Sequence, residues 1–157
     1  MGTVVGQVID YLVAQLAAPA KAAVPDAMVI DANTNDDLSS SMIWIGRNAP
    51  QDLQAGNAAR GFPVLGRRSI DEDWTIPGFI DCHREGTDQK AARDPALALW
   101  DVVCHLASTD PTLGNIITSG YYVELPNAEL FQPDPPQTAA ARALVLFSVR
   151  FRSRYIP

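Results

Sequence analysis

The chain has 157 residues, 47% of them hydrophobic and 19% charged. That is enough for one domain with a real core and too apolar for a wholly disordered chain. Two cysteines cannot build a disulfide framework, and no apolar run approaches the ~20 residues needed to cross a bilayer. The net charge of −6 is uneven: Arg142, Arg150, Arg152 and Arg154 follow Asp134, and no acid does. An acidic body with a basic end argues against general nucleic-acid coating. It permits a local anionic contact, including one with a second copy of the chain.

Met1 to Leu16 is apolar, but it lacks the Lys or Arg that starts a secretory signal, and Asp10 lies inside it. Gly6 stands where a myristoylation motif wants Ser or Thr. The expectation is an unprocessed cytoplasmic protein. Thr3 to Ala17 reads as a helix, because Val4, Val8, Leu12 and Leu16 recur every fourth residue and Val5, Ile9 and Val13 widen the stripe. Thr3 is its N-cap, and Pro19 and Pro25 are expected to stop it. Short strands are expected at Ala27–Ile30 and Met42–Ile45, with a polar turn over 31–37 between them. From Arg47 to Phe62 there is no period. This is expected to be a long exposed loop, mobile in the free protein and ordered in an assembly, because it has few apolar anchors to offset its backbone entropy.

Ile70 to His83 alternates as a strand. Trp74, Ile76, Gly78, Ile80 and Cys82 share one face; Asp73, Thr75, Pro77, Phe79 and Asp81 share the other. Pro77-Gly78 predicts a bulge or an edge position. A second helix follows over 86–107, with Ala96, Leu99, Trp100, Val103 and Leu106 on its stripe. Either Thr87 caps it and Pro95 lies inside, or Asp94 caps a shorter helix with Pro95 first; the good helix formers at 88–93 favour the longer one. Asp110-Pro-Thr-Leu-Gly114 is a turn. Ile116 to Phe131 reads as an irregular strand, and residues 132–138 as a Pro-rich hairpin loop. Leu144 to Ile156 is the clearest strand, with Val145, Phe147, Val149 and Phe151 on one side and the arginines on the other. The expected fold is α+β: a single domain with a mostly antiparallel sheet, two helices packed on one face, and Leu12, Trp100, Phe147 and Phe151 in the core.

Chemical motifs are weak. Asp31-x-Asn33-x-Asn35 opens like a calcium loop, but Asp36 stands where Gly is needed and Met42 where Glu is needed. Cys82-His83 and Cys104-His105 lack the spacers of zinc sites, since adjacent residues diverge on a strand or a helix. There is no phosphate loop and no Gly-x-Ser-x-Gly elbow around Ser39-Ser-Ser41. Asp71-Glu-Asp73 reads as a charged hairpin turn. No catalytic, cofactor or metal residues are assigned. Arg150, Arg152 and Arg154 form a stripe that either keeps a strand soluble or meets carboxylates or phosphates. With Arg47, Asp52 and Arg60 on the long loop, they are the candidate oligomer or lumen contacts. Replacing the three stripe arginines by Gln is expected to spare the fold while weakening assembly and its salt dependence.

The N-terminal helix, Met42-Ile-Trp-Ile-Gly46 with its polar loop, the stretch Asp71 to His83, the helix Asp88 to Ala107, the turn Asp110 to Gly114 and the closing strand Val145 to Arg154 together resemble one family. It is that of tail-terminator proteins of long-tailed, non-contractile bacteriophages, the minor tail protein U type. The likeness covers most of the chain and rests on element order. It implies a non-enzymatic virion protein, assembled in the host cytoplasm, with no cofactor and no fixed active-site residues. Such proteins form a ring, typically a hexamer, on the last ring of the tail tube protein. There they end polymerisation and present a surface to the head-side connector or neck protein, with DNA passing through. The alternatives are a head-completion or neck protein and, from another class, a small metal-dependent hydrolase using His83 and His105.

Overall fold

The first helix, α1, spans Val4–Ala23 and runs six residues past its expected end, with Pro19 inside it. Its apolar spacing explains why: Val8, Leu12, Leu16, Ala20 and then Val24 are all buried, one every fourth residue. Pro19 withholds its donor from Gln15, whose side of the helix is exposed, so water is available to the unpaired carbonyl. The remaining elements are β1 (Ala27–Asp31), β2 (Ser41–Ile45), β3 (Asn57–Gly61), β4 (Ile70–Glu85), α2 (Gln89–Thr109), β5 (Ala128–Phe131) and β6 (Ala140–Tyr155). The computed structural model describes residues 4–31, 39–46, 57–61, 70–117, 120–132 and 140–155. Among them no helix is long and apolar enough to cross a membrane.

The strands form one sheet in the order β1-β2-β4-β6-β5, with β3 also on β4. Among the described strand pairs only β1 and β2 run parallel. β4 and β6 pair antiparallel residue for residue over their whole 16-residue lengths. β4 is therefore a central, unbulged strand, contrary to the reading of Pro77-Gly78. The reason lies on its other side, where β2 pairs residues 78–82 and β3 pairs residues 71–75. Pro77 accepts a hydrogen bond from Gly46 N–H on that side at 2.8 Å. Its missing donor thus faces the gap between two short partner strands, where no ladder bond is lost. β3 also corrects the expected loop over 47–62: residues 57–61 are a strand, recruited by backbone pairing with β4 although their side chains do not alternate. The rest of that loop, and residues 133–138 of the Pro-rich loop, lie outside the described residues. So do the positions 33 and 35 of the polar turn.

Both helices pack on the same sheet face. Val8, Leu12 and Leu16 of α1 and Ala92, Ala96, Leu99 and Val103 of α2 meet Ile43, Ile45, Ile76, Ile80, Val145, Val149 and Phe151 in one core. Trp100 is half-buried there, its ring 5.3 Å from that of Phe147. α2 is the longer of the two predicted helices. Its cap is Asp88 rather than the expected Thr87, the Asp88 carboxylate accepting from Lys90 N–H at 3.1 Å, and Pro95 lies within it. The opposite sheet face carries a smaller apolar cluster of Ile30, Met42, Trp44, Phe79 and Leu144, with Trp44 and Phe79 stacked 5.7 Å apart.

The strand expected over 116–131 is the largest misreading, for among its described residues only Ala128–Phe131 forms a strand, with Glu124 adding a single bridge to Arg150 of β6. Upstream, Leu113, Gly114 and Asn115 all adopt positive φ, of 49°, 64° and 65°, which no strand tolerates. Asp110 organises this turn. Its carboxylate accepts from Gly114 N–H at 3.0 and 2.9 Å and from the Tyr11 hydroxyl of α1 at 2.5 Å. A Cβ on Gly114 would stand 2.8 Å from the Tyr11 ring. Burial of Leu113, Ile117 and Val123 offsets the backbone cost. Asp110→Ala is expected to lower stability by about 2 kcal/mol in denaturant titration, since it removes charge-assisted bonds to two elements. The bond to Asp110 also raises the Tyr11 pKa above its ordinary value. That stabilisation is present below about pH 10 and lost as the pH climbs through the raised value. The alkaline step should be absent from Asp110→Ala.

Candidate interface along the arginine strand

Arg150, Arg152 and Arg154 alternate along β6, so they project together from the sheet face away from the helices. The antiparallel register places Thr75, Asp73 and Asp71 of β4 opposite them in turn. Arg150 reaches diagonally and donates to both Asp73 oxygens, at 3.1 and 2.7 Å. Arg152 shares the same carboxylate at 3.5 Å. Arg154 donates to the Tyr121 hydroxyl at 3.3 Å. The stripe is thus partly engaged within the chain by Asp73, one of the acids that read as a hairpin turn. Asp71-Glu-Asp73 is part of β4, held extended because β3 pairs it on one side and β6 on the other.

This changes what the stripe can do. Arg150 is a cross-strand tie. Arg152, 59% exposed at its side chain, keeps much of its guanidinium open to a partner. A recess of about 300 Å3 lies beside it, lined by Gly120, Tyr121, Tyr122, Glu124 and β6 residues 150–152. Replacing all three arginines by Gln would strand Asp73, which is only 23% exposed, so the fold should feel the change. Arg60 sits on β3 opposite Glu72 by register, its side chain outside the described set, as are Arg47 and Asp52.

The Arg150 hydrogen bonds hold the Asp73 carboxyl below the usual carboxylate range, against the opposing effect of its burial. A depressed carboxylate pKa stabilises the fold above the unfolded value, ~3.9, and the contribution fades as the pH falls through the folded value. Acid unfolding of Arg150→Gln should therefore lack part of the wild-type loss below about pH 4. Equal acid sensitivity in the two proteins would contradict the tie.

A second polar cluster, unforeseen from the sequence, lies farther along the same face. Asp81, only 5% exposed, accepts from Arg142 at 3.1 and 2.8 Å and contacts His83 Nε2 at 2.9 Å. The alternation signals only that Asp81 and His83, two apart on β4, share a face; Arg142 is brought opposite His83 by the β4–β6 register.

Cys82 points the other way, into the core, where burial pushes its thiol up to about 11. Cys104, half-buried on α2, is also raised by burial. His105 is exposed on α2, beside an open groove of about 510 Å3 that includes Leu16, Pro19, Asp101 and Leu106. His83 and His105 therefore lie on opposite sides of the sheet and form no common site. Among the described residues no three His, Cys, Asp or Glu side chains converge as metal ligands. No protein-family model matches the chain, and no curated protein matches it in sequence.

Proposed function

We propose that the protein is a structural subunit of a phage tail, a terminator that assembles as a ring, typically a hexamer, on the last ring of the tail tube. There it ends polymerisation and presents its free surface to the head-side connector, at the head-proximal end of the virion. The observation that supports this reading is the architecture: one mostly antiparallel sheet with both helices on one face, in the order helix, strands, helix and closing hairpin. That is the fold expected of the family whose element order the chain resembles.

In this reading the chemistry is one of contact. Ring closure requires two different patches on each copy. Arg152 offers an anion-binding group to a neighbouring subunit or to DNA passing through the ring, while Arg150 is held in place by Asp73. The test is to add the purified protein to its tail tube protein during polymerisation. Tube growth should stop, and the length distribution should shorten as the protein is added. Unchanged tube growth at saturating protein would overturn the proposal.

A further inference from the structure

Among the described residues the five-strand path β1-β2-β4-β6-β5 ends in two short strands, β1 and β5, and their details fit one another. β5 is four residues long and exposed throughout. It has no Lys or Pro of the kind that blunts an edge. Leu130 is 41% exposed and Phe131 50%. At the far edge, Met28 of β1 is 37% exposed.

The register puts Met28 and Phe131 on the same sheet face, the one away from the helices. Between them on that face run Ile30, Trp44, Phe79 and Leu144. The apolar band thus crosses the sheet and ends at each edge in an exposed apolar side chain.

Strand direction fits as well. Following the pairings across the sheet, β5 runs opposite to β1. A second copy set beside the first in the same orientation therefore brings its β1 antiparallel to β5, the stronger pairing sense. The backbone is also poised for it. Glu124 and Arg150 exchange both ladder bonds, at 2.7 and 2.9 Å. By alternation, the even residues of β6 therefore face the β5 side, and they oppose Glu129 and Phe131. The backbone N–H and C=O of Leu130 are left pointing outward.

We infer that β5 of one copy pairs head to tail with β1 of the next, Phe131 lying beside Met28 and Leu130 beside Val29. A two-fold β5–β5 contact is less suited, because it draws the Glu129 carboxylates of the two copies together on one face. The inference rests on the ring reading only in requiring that copies associate. Four paired residues bury far less than the ~1,000 Å2 of a stable interface, so a single contact is weak and gains strength from repetition around a ring or on a tube end.

Sedimentation equilibrium over a wide concentration series tests it, with near-ultraviolet circular dichroism to check that each variant is folded. Wild type should associate with rising concentration. Leu130→Pro removes the outward donor and exchanges a side chain that is 41% exposed. Phe131→Lys and Met28→Lys each alter one exposed side chain. All three should raise the concentration needed for association about tenfold or more. An equimolar mixture of Met28→Lys and Phe131→Lys should recover dimers and nothing larger, because the first retains an intact β5 and the second an intact β1. Wild type that stays monomeric throughout would overturn the inference. So would Met28→Lys that associates normally while Phe131→Lys does not, which marks a β5–β5 dimer. Edge-dependent association with no effect on tail tubes would instead sink the functional reading and leave this contact standing.

Discussion

Gly78→Ala should destabilise the protein by about 1–3 kcal/mol, and Gly78→Val by more, although neither removes an interaction. Gly78 lies at the middle of β4 on the helix-facing side, directly opposite Phe147. A Cβ built there would stand 2.6 Å from the Phe147 ring and 2.9 Å from the Trp44 carbonyl. The ring occupies the space a side chain would take and is in turn packed by Trp100 of α2. Phe147→Leu in the Gly78→Ala background should recover part of the loss, by giving up the closer ring contact. The backbone contact with Trp44 would remain, so recovery should be incomplete. Thermal or urea unfolding checks both. A Gly78→Val protein as stable as wild type would mean that the ring does not lie over the glycine.

Arg142→Met should cost about 2 kcal/mol. Asp81 is buried, and Arg142 supplies two of its hydrogen bonds. Removing one member of a fully enclosed pair costs ~3–5 kcal/mol, chiefly because the remaining charge is left unpaired. Arg142 is 37% exposed and His83 remains beside Asp81, so solvent and the imidazole moderate the loss. The double variant Asp81→Leu with Arg142→Met should regain most of the stability, since Leu144 and Phe79 offer apolar neighbours on that face. A double-mutant cycle with no coupling would contradict this account of the pair.

Where periodicity was strong, the elements were legible. The four-residue spacing of Val8, Leu12 and Leu16 located α1, and the alternation of Val145 to Arg154 located β6 and its two faces. Misreadings came where pairing or packing overrode local preference. Pro19 and Pro77 both sit inside regular structure because the groups they leave unpaired face water or a gap between strands. β3 has no pattern to read and exists through its ladder with β4. The segment before β5 alternates like a strand but is diverted by a left-handed turn fixed by Asp110 and Tyr11, which stand 99 residues apart. The arginine stripe was visible, but its partners were not. Nothing local to Asp73 or Asp81 announces an arginine more than 60 residues away, and only the β4–β6 register brings them together.

The proposed ring of copies would close on one end of a tail tube. Electron microscopy of tail tubes incubated with the protein and washed free of excess tests it most directly. One ring of added density, with rotational symmetry matching the tube, is expected at one end of each tube and none along its wall. Bare ends at both termini, or protein scattered along the wall, would contradict it.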